Sequence, residues 1–526
     1  MLGSRAGARL DPLWTLTLMK TFLRTALVGL AAISPAGCSI SPSPFTNQEL
    51  QNLSESSSAR VTANQESFAG PVTLYEAMAR ALKYNLDFKV EIMQQSLRGA
   101  ELRLSHYNLL PSAVANSGYV SRDSYLSTGE HNLKTNVDRP PTTTSYEQKL
   151  RTADFTFSWN ILDFGLSYIR ARQAADKVLI AEEAKRKVIQ RVIEDVRTAF
   201  WRAVSAERML SKLAALETRT KTVLANTRRL YVERETSPIT ALTYERELVE
   251  ITRTTEELAR ELSVAKAQLA ALMNVTPDTP FTLAETGSLA QTPILDVDEK
   301  EMIETALINR AELRDVTYQK RINRHEAHAA LLELLPGIQL YAGQNYDTNK
   351  YLENNRWVTW GAKASWNVMR IFQYPAKRTV IDAQDDLLDA RTLALTMAIM
   401  TQVHVSRIRY AFAARELVTA REYNEVQQRL LKQMRNEAVA GRISEQTLVR
   451  EEMNALVAEA KRDIAFSALQ NAFANVFAST GLDPYGSDFD VSEGVHDVAI
   501  RLKALWIERG DFGAKHKIVI AQQANR

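Results

Sequence analysis

The sequence predicts a mainly α-helical fold that also contains β-hairpins and is built from one unit used twice. Glycine and proline are scarce, with 19 and 15 in 526 residues, so long helices can run without a break. Two segments, 166–237 and 376–440, contain neither residue, and at about 1.5 Å rise per residue each would form a helix of roughly 100 Å. Two other segments alternate apolar and polar residues, which is the pattern of β-strands.

The N-terminus has the layout of a secretory signal peptide, predicted over residues 1–37. Two positive charges follow Met19, an alternative start, and precede an apolar stretch at 25–33 that is too short to be a permanent membrane helix. The small residues before Cys38, the only cysteine, resemble the lipobox of bacterial lipoproteins, which implies lipid attachment at Cys38. The alternative is a plain signal peptide with an unpaired thiol. Residues 38–71 are expected to form a flexible or extended arm.

An internal repeat covers most of the remaining chain. Ser-Trp-Asn at 158–160 recurs at 365–367, an offset of 207. Leu-Leu-Pro at 109–111 recurs at 334–336, an offset of 225. The difference, 225 − 207 = 18, is the number of additional residues between these motifs in the first copy. One unit of roughly 200 residues has therefore been duplicated.

A third match, of the segment beginning at Asn274 with the segment beginning at Gly481, keeps the offset of 207. It gives both copies the same length from the hairpin to the end of the return helix. The expected organisation is a first repeat at 72–285, a second repeat at 286–485 and a C-terminal tail at 486–526.

Each repeat begins with a helical pattern, at 74–108 and 300–334, that ends at Leu-Leu-Pro. The period then changes to two residues, which predicts β-hairpins at about 112–162 and 337–369. The second strand of each hairpin has an apolar, aromatic face, which either packs on a soluble core or meets lipid as an aromatic band. The residues predicted to face the membrane are Phe155, Phe157, Trp159, Ile161, Trp360, Trp366 and Val368.

Each long helix is interrupted once and then resumes. The first break falls at Ser237-Pro238 and the second at Gly441. Thr240 and Ser444 are the predicted N-caps of the returning helices, and Gly441 is suited to the left-handed C-cap of the outgoing helix. The sequence therefore predicts two helix-turn-helix tips.

The bulk properties limit the kinds of protein that this chain can be. The mean hydropathy of −0.24, with no apolar run of membrane-spanning length after the N-terminus, excludes a bundle of membrane helices. The net charge of +3 gives no reason to propose a nucleic-acid partner. Two hairpins supply only four strands, which cannot close a barrel whose edges are hidden from lipid. Strands that meet lipid would require assembly of several copies.

The duplicated order of helix, β-hairpin, very long helix and return helix, with Trp-Asn-Ile-Leu-Asp-Phe-Gly at 159–165, resembles the TolC-type outer-membrane factors. The resemblance covers about 72–485. It implies a mainly α fold with a β-barrel, in which a homotrimer forms one 12-stranded outer-membrane barrel and an α-helical periplasmic tunnel. It also implies an outer-membrane location, with most of the chain in the periplasm. The implied partners are outer-membrane lipid, a periplasmic adaptor (membrane fusion protein) and an inner-membrane transporter.

The resemblance further implies roles for the two tips. The residues implied in adaptor docking are Ile239, Thr240, Gly441, Arg442, Ile443 and Ser444. The second tip has the Gly-x-x-Ser/Thr pattern of the family, whereas the first has Ser237-Pro238 where glycine is usual. The family closes its periplasmic end with acidic rings and ion pairs, and the candidate constriction residues are Glu233, Glu235, Glu437 and Glu445. The alternative is that these glutamates are simply solvated charges.

No motif indicates an enzyme, since a Gly-rich phosphate loop, a nucleophile elbow and paired catalytic carboxylates are all missing from the sequence. No cofactor is expected. His325 and His328 have a spacing that could hold a metal, but no third ligand accompanies them. We therefore expect both to be solvated surface histidines and expect no metal site.

The leading hypothesis is a passive export duct of a tripartite efflux or type I secretion system. The alternative is a lipid-anchored periplasmic coiled-coil scaffold without a pore. Drugs, metal ions and unfolded proteins all stay open as cargo.

Overall fold

The computed structural model describes residues 42–61, 63, 65–233, 237–276, 279–284, 298–482 and 493–510, with side chains up to residue 507. The chain divides into a short N-terminal unit that ends at Ala63 and a large unit that begins after it. The predicted signal peptide, Cys38 and Glu235 lie outside the described residues, as do the predicted repeat boundaries near 285 and 485.

The described part of the N-terminal unit is one helix, α1 (Asn47–Val61), whose residues are all exposed. It begins at a capping box, in which the backbone N–H of Thr46 donates to Glu49 Oε2 at 2.7 Å and the Glu49 N–H donates to the Thr46 hydroxyl at 3.3 Å. The prediction of a flexible or extended arm was wrong for these residues, which form a helix. The helix has no apolar face, so hydrophobic periodicity could not indicate it.

The large unit contains two copies of the predicted order of elements. These are α2 (Leu74–Tyr84), α3 (Leu86–Tyr107), β1 (Ser112–Ser121), β2 (Glu130–Asn132), β3 (Val137–Arg139), β4 (Lys149–Asn160), α4 (Ile161–Val232), α5 (Pro238–Leu272), α6 (Glu299–Asn309), α7 (Ala311–Leu332), β5 (Gly337–Asp347), β6 (Arg356–Ser365), α8 (Met369–Val439), α9 (Glu445–Ser479) and α10 (Val495–Gly510). The predicted sequence of helix, hairpin, long helix and return helix is confirmed in both repeats.

The helix before each hairpin is broken in two, where the sequence predicted one continuous helix. The break falls at Asn85 in the first repeat and at Arg310, the equivalent position, in the second. The Asn85 side chain accepts a hydrogen bond from the Phe88 N–H at 3.1 Å, as a helix N-cap does. Arg310 has nearly the same backbone angles (φ −65°, ψ 126°) without a side-chain cap. The break therefore follows the repeated architecture more closely than the residue type.

The long helices α4 and α8 span 72 and 71 residues, so each is roughly 100 Å long. Helix α4 packs on its return helix α5, and α8 packs on α9. Helix α8 begins at Met369, whereas the sequence predicted a start after Pro375. Pro375 lies in the second turn, where it removes one backbone donor. Among the helices that the structure describes, we find none that is both long and apolar enough to cross a membrane.

The four long strands form one antiparallel sheet in the order β1-β4-β5-β6. Ser112 pairs with Ser158 in the first hairpin, and Gly337 pairs with Ser365 in the second. Adding 225 to the first residue number and 207 to the second converts one pair into the other. Both hairpins therefore have the same register, and the strand pairing confirms the offsets found in the sequence.

The register also locates the additional segment of the first repeat. The last pairs of the two hairpins are Ser121 with Lys149 and Tyr346 with Arg356. The first pair encloses positions 122–148 and the second encloses positions 347–355. The whole difference between the two offsets therefore lies between residues 121 and 149. This additional segment contains the small hairpin β2–β3.

The main hydrophobic core surrounds α2 and α10 near the middle of α4. Helix α10 contributes Val495, Val498, Leu502 and Trp506, each at most 5% exposed. The Trp506 ring meets the ring of Phe477 edge to face at 5.7 Å. Residues 495–510 of the predicted C-terminal tail form a helix, which was not predicted. The four apolar residues are spaced by three, four and four positions, which is the signal of a helix face that the sequence analysis missed.

Candidate functional site

Residues directly opposite each other on neighbouring strands share a face of the sheet. Grouped in this way, the side chains form one apolar and one polar face. Phe157 lies opposite Ala113 and Ala342, and Ala342 lies opposite Trp360. The apolar face is uncovered in the single chain, where Trp360 is 81% exposed. Ser158 and its neighbours on the other face are polar. The predicted alternation in the second strands is confirmed.

The strands end earlier than the sequence predicted. Strand β4 ends at Asn160, and Ile161 is the first residue of α4. Strand β6 ends at Ser365, Trp366 follows it, and Val368 is the N-cap of α8. The predicted strand positions of Ile161, Trp366 and Val368 were therefore wrong, although all three side chains are exposed. The polar side chain of Asn160 caps α4 and stops the strand.

Trp366 joins the end of the second hairpin to the segment that precedes it. Its indole N–H donates to the Leu334 carbonyl oxygen at 2.9 Å. Leu334 belongs to the Leu-Leu-Pro motif before β5. The hydrogen bond therefore closes the base of the hairpin, and the ring stays 55% exposed.

The second tip ends α8 with a Schellman motif. Gly441 has φ +68°, its N–H donates to the Ala438 oxygen at 3.0 Å, and the Arg442 N–H donates to the Glu437 oxygen at 2.9 Å. The predicted left-handed cap at Gly441 is confirmed. An added Cβ at Gly441 would meet no atom within 4 Å, so glycine is required here for its backbone angles and not for space.

Ser444 begins α9 as predicted. Its hydroxyl accepts a hydrogen bond from the Thr447 N–H at 3.3 Å. Ile443 is half-buried and packs against a small apolar cluster that includes Leu431 and Leu448. At this tip Ile443 therefore contributes to the local core as well as to the surface.

The first tip is built differently. Ser237 is the N-cap of α5 and Pro238 is its first residue, so the prediction of Thr240 as the N-cap was wrong. Proline is favoured at this position because the first helical N–H has no intrahelical partner. Thr240 is exposed, and Ile239 is 79% exposed. An apolar side chain thus projects into solvent at this tip.

The described carboxylates near the tips, Glu233, Glu437 and Glu445, are exposed or half-buried and lie next to arginines. The pairs are Arg229 with Glu233 at 4.0 Å, Arg442 with Glu437 at 3.2 Å and Arg219 with Glu445 at 3.8 Å. Exposed pairs of this kind contribute about 0–1 kcal/mol each. In the single chain each of these glutamates is balanced by a neighbouring cation.

A buried arginine lies in the main core. Arg197 is 3% exposed, and one of its terminal nitrogens donates to Gln470 Oε1 at 3.1 Å. Its guanidinium carbon lies 4.3 Å from the centroid of the Trp506 ring, a cation–π contact. Burial lowers the pKa of Arg197 to about 10, so the side chain stays charged at neutral pH.

Glu194, one turn away on α4, has a strongly raised pKa. Burial, followed by the charge of Asp195, raises its pKa to about 7. The Asn475 amide, when its nitrogen faces this carboxylate, lies 2.9 and 3.1 Å from the two oxygens. That contact favours the ionised form and limits the rise.

The two histidines singled out in the sequence have different environments. His325 is buried, so the prediction of a surface residue was wrong for it, whereas His328 is exposed. The Nε2 of His325 lies 3.9 Å from Asp176 Oδ2, and Arg321 Nε donates to Asp176 Oδ1 at 2.8 Å. Burial and the charge of Arg172 lower the pKa of His325. Within the described ranges, no three His, Cys, Asp or Glu side chains are grouped as metal ligands.

Comparison with solved structures finds outer-membrane channels. The CmeC outer-membrane channel of Campylobacter jejuni is 13% identical, with a TM-score of 0.60, and the match covers 89% of this chain and 98% of that one. The MtrE outer-membrane channel of Neisseria gonorrhoeae is 14% identical (TM-score 0.60, covering 78% and 89%). The outer-membrane protein VceC of Vibrio cholerae is 12% identical (TM-score 0.58, covering 78% and 96%). No protein-family model and no curated protein matches the sequence.

All three structures are TolC-type channels. This chain has the TolC-type fold. The resemblance stated from the sequence is thereby confirmed at the level of the fold. At these identities the likeness to the TolC-type structures carries no residue-level assignment.

Within the TolC-type fold, the sequence analysis missed the ion pairs that join α4 of the first repeat to α9 of the second. They are Arg208 with Asp463, Lys212 with Glu459 at 2.9 Å and Arg219 with Glu452 at 2.7 Å. Asp463 is 6% exposed and also accepts from the Ser205 hydroxyl at 3.0 Å. The partners of each pair belong to different repeats, so no local sequence signal could indicate the pairing.

Proposed function

We propose that the chain is an outer-membrane export channel, the passive duct of a tripartite efflux or type I secretion system. The observation that carries the proposal is the uncovered apolar face of the four-stranded sheet. A continuous apolar surface of this kind is rarely left in water. Alternating strands with aromatic side chains on one face suit a barrel wall whose outer surface meets lipid. The TolC-type fold, shared with outer-membrane channels, supports the same conclusion.

The sheet needs further copies of the chain to become a barrel. Strands β1 and β6 are its edges, and unpaired backbone groups are costly in lipid. A homotrimer would supply twelve strands in one closed barrel. The polar face, which includes Ser158 and Lys363, would then line the pore, and the long helices would continue it as a periplasmic tunnel.

The tips are the proposed docking points for a periplasmic adaptor, which would couple the duct to an inner-membrane transporter as the source of energy. The docking residues at the first tip would be Ile239 and Thr240, and at the second Gly441 to Ser444. The exposed Ile239 supports this role because an isolated apolar side chain at a helix tip is available to a partner. Carboxylates near the tips would favour cations at a constriction. Lipid attachment at Cys38 is proposed as an additional anchor.

The proposal is tested by matched charged substitutions on the two faces of β6. Trp360→Arg would place a charge against lipid, which costs about 2–4 kcal/mol near the bilayer midplane. Thr359→Arg would place the same charge on the pore side. We expect Trp360→Arg to reduce the amount of assembled protein in outer-membrane fractions. We expect Thr359→Arg to assemble normally and to change the conductance and ion selectivity in planar bilayers.

The outcomes separate the channel from the scaffold. A purified parent protein that gives no conductance in planar bilayers, together with equal membrane yields of the two variants, would exclude the channel. It would favour a lipid-anchored periplasmic scaffold without a pore. Conductance in the parent that changes only in Thr359→Arg would support the duct. The copurifying adaptor and transporter would then identify the class of cargo.

A further inference from the structure

The apolar face of the sheet carries charge at one end only. Alternation along β4 places Lys149 and Arg151 on the same face as Phe157, and alternation along β6 places Arg356 on the same face as Trp360. Every other residue of the four long strands on this face is uncharged. The three cations, Lys149, Arg151 and Arg356, are all exposed and are called the basic row below.

The opposite face of the same strands has a different distribution of charge. It carries both signs, at Asp154, Asp347 and Lys363. A surface with charges of one sign attracts ions of the other sign, whereas mixed charges largely cancel. The apolar face therefore favours anions at one of its ends, and the polar face has no such preference.

The basic row lies at the end of the sheet farthest from the long helices. Strand β4 begins at Lys149 and is followed by α4 at its other end, and β6 begins at Arg356. Next to the helices, the same face ends in uncharged side chains: Trp159, Ile338 and Ala364. In the proposed channel the helices lie in the periplasm, so the basic row would lie at the outer surface of the membrane.

Two tyrosines accompany the cations. Tyr119 lies opposite Arg151 and Tyr346 lies opposite Arg356. The guanidinium carbons are 6.0 and 5.7 Å from the centroids of these rings, and both rings are exposed. Tyrosine favours the boundary between hydrocarbon and headgroups, because its ring is apolar and its hydroxyl is polar. The tyrosines therefore indicate the level at which the apolar face would meet lipid headgroups.

Carboxylates of the described chain do not neutralise the basic row. Within the described ranges, none of its three members forms an ion pair with a carboxylate. The neighbouring Glu147 pairs with Lys350 at 3.2 Å. Asp347 belongs to the other face, where its Oδ1 accepts from the Asn349 N–H at 2.8 Å. The three cations beside the apolar surface can therefore take their counter-ions from the surroundings.

We propose that the basic row binds phosphate groups of the lipid headgroups around the outer end of the channel. The inference rests on the proposed function and specifies the chemistry of the lipid that the sheet contacts. Arginine binds phosphate through paired N–H donors, and lysine binds it as a point charge. Residues two apart on a strand are separated by about 7 Å, and β4 and β6, two strands apart, by about 10 Å. The row thus fits a headgroup with more than one phosphate better than a single free anion.

Native mass spectrometry of the assembled protein in a neutral detergent tests the basic row. The probes are diphosphorylated lipid A, the same lipid with its phosphates removed, and inorganic phosphate. The parent should retain the phosphorylated lipid and bind the dephosphorylated lipid at least about tenfold more weakly. The triple variant Lys149→Gln/Arg151→Gln/Arg356→Gln should lose about 100-fold in affinity for the phosphorylated lipid, because each cation near an anionic membrane surface contributes about fivefold.

A matched control removes three cations from the loop at the same end of the sheet. The triple variant Arg122→Gln/Lys134→Gln/Arg139→Gln has the same change of charge and should keep the affinity of the parent. The conservative variant Arg356→Lys should also retain the lipid. An equal loss in the two triple variants, or equal retention of the two lipids by the parent, would overturn the proposal. Inorganic phosphate that binds as tightly as the lipid would overturn it as well, by indicating a site for free anions.

Further measurements separate the possible failures. The single variant Arg151→Gln, with an expected loss of about fivefold, covers the case in which the triple variant does not assemble. A parent that gives no conductance in planar bilayers would overturn the proposed channel. A conducting parent that retains both lipids equally would overturn the basic row alone.

Discussion

Two glycines with nearly the same backbone angles should respond differently to the same substitution. Gly441 at the second tip and Gly481 after α9 have φ of +68° and +73°. An added Cβ at Gly441 would meet no atom within 4 Å, whereas at Gly481 it would lie 2.7 Å from the Asn309 carbonyl carbon and 2.8 Å from the Arg310 nitrogen. These atoms belong to the backbone at the break between α6 and α7, so they cannot turn away as a side chain could.

The expected costs follow from these geometries. Left-handed backbone costs a residue such as alanine about 1–2 kcal/mol, and overpacking adds about 1–3 kcal/mol. Gly441→Ala should therefore lose about 1–2 kcal/mol and Gly481→Ala about 2–5 kcal/mol of the free energy of unfolding. Asparagine tolerates the left-handed region better, as Asn274 does at φ 58° in the position equivalent to Gly481. Gly441→Asn should thus be nearly neutral, while Gly481→Asn keeps the clash.

The assay is thermal unfolding of the four variants in detergent, followed by tryptophan fluorescence under identical conditions. The entropy of unfolding is about 2 cal/mol/K per residue, so in a chain of this length 1 kcal/mol shifts the midpoint by about 1 °C, and the two asparagine variants should differ by about 1–3 °C. Equal midpoints for Gly441→Asn and Gly481→Asn would show that the α6–α7 break can move, and would refute the steric argument.

Two further predictions concern buried charges. Because the pKa of Glu194 is raised from 4.5 to about 7, the folded state binds more protons than the unfolded state between these values. The free energy of unfolding should therefore fall as the pH rises through this window. The thermal midpoint of Glu194→Gln should lack this fall, and a variant whose midpoint falls with pH as steeply as that of the parent would contradict the raised pKa. The buried Arg80, which is 2% exposed, donates to the backbone oxygens of Glu66 and Ser67 at 2.7 and 3.0 Å. Arg80→Met should lower the free energy of unfolding by about 3 kcal/mol and should speed proteolysis near residue 66. An unchanged rate of digestion would show that Arg80 does not anchor this segment.

Much of the fold could be predicted because the duplication carries its own evidence. The two offsets alone require both hairpins to have the same register, since matching motifs must occupy matching positions in the sheet. The cap residues Gly441 and Ser444 were also predictable, because glycine and serine have local reasons to lie there. Such features depend only on residues close together in the chain.

Features that depend on distant packing could not be predicted. Nothing local marks Arg310 as a helix break, since its side chain makes no capping hydrogen bond. The position of the break is determined by the repeated architecture. Arg197 is buried because Trp506, from the last described helix, covers its guanidinium group. The early end of β6 at Ser365 likewise could not be recognised from alternation that continues through Trp366 and Val368. The predicted roles of the tips and carboxylates stay predictions.

The loop between residues 121 and 149 shows where this architecture accepts a change of length. It is much longer than its counterpart in the second repeat, and yet not a single strand pair has moved. The turn of its small hairpin projects Leu133, which is 89% exposed. An epitope tag or a labelled peptide inserted at this turn should therefore leave the rest of the molecule intact. The duplication itself thus identifies a natural insertion point for a label on this chain.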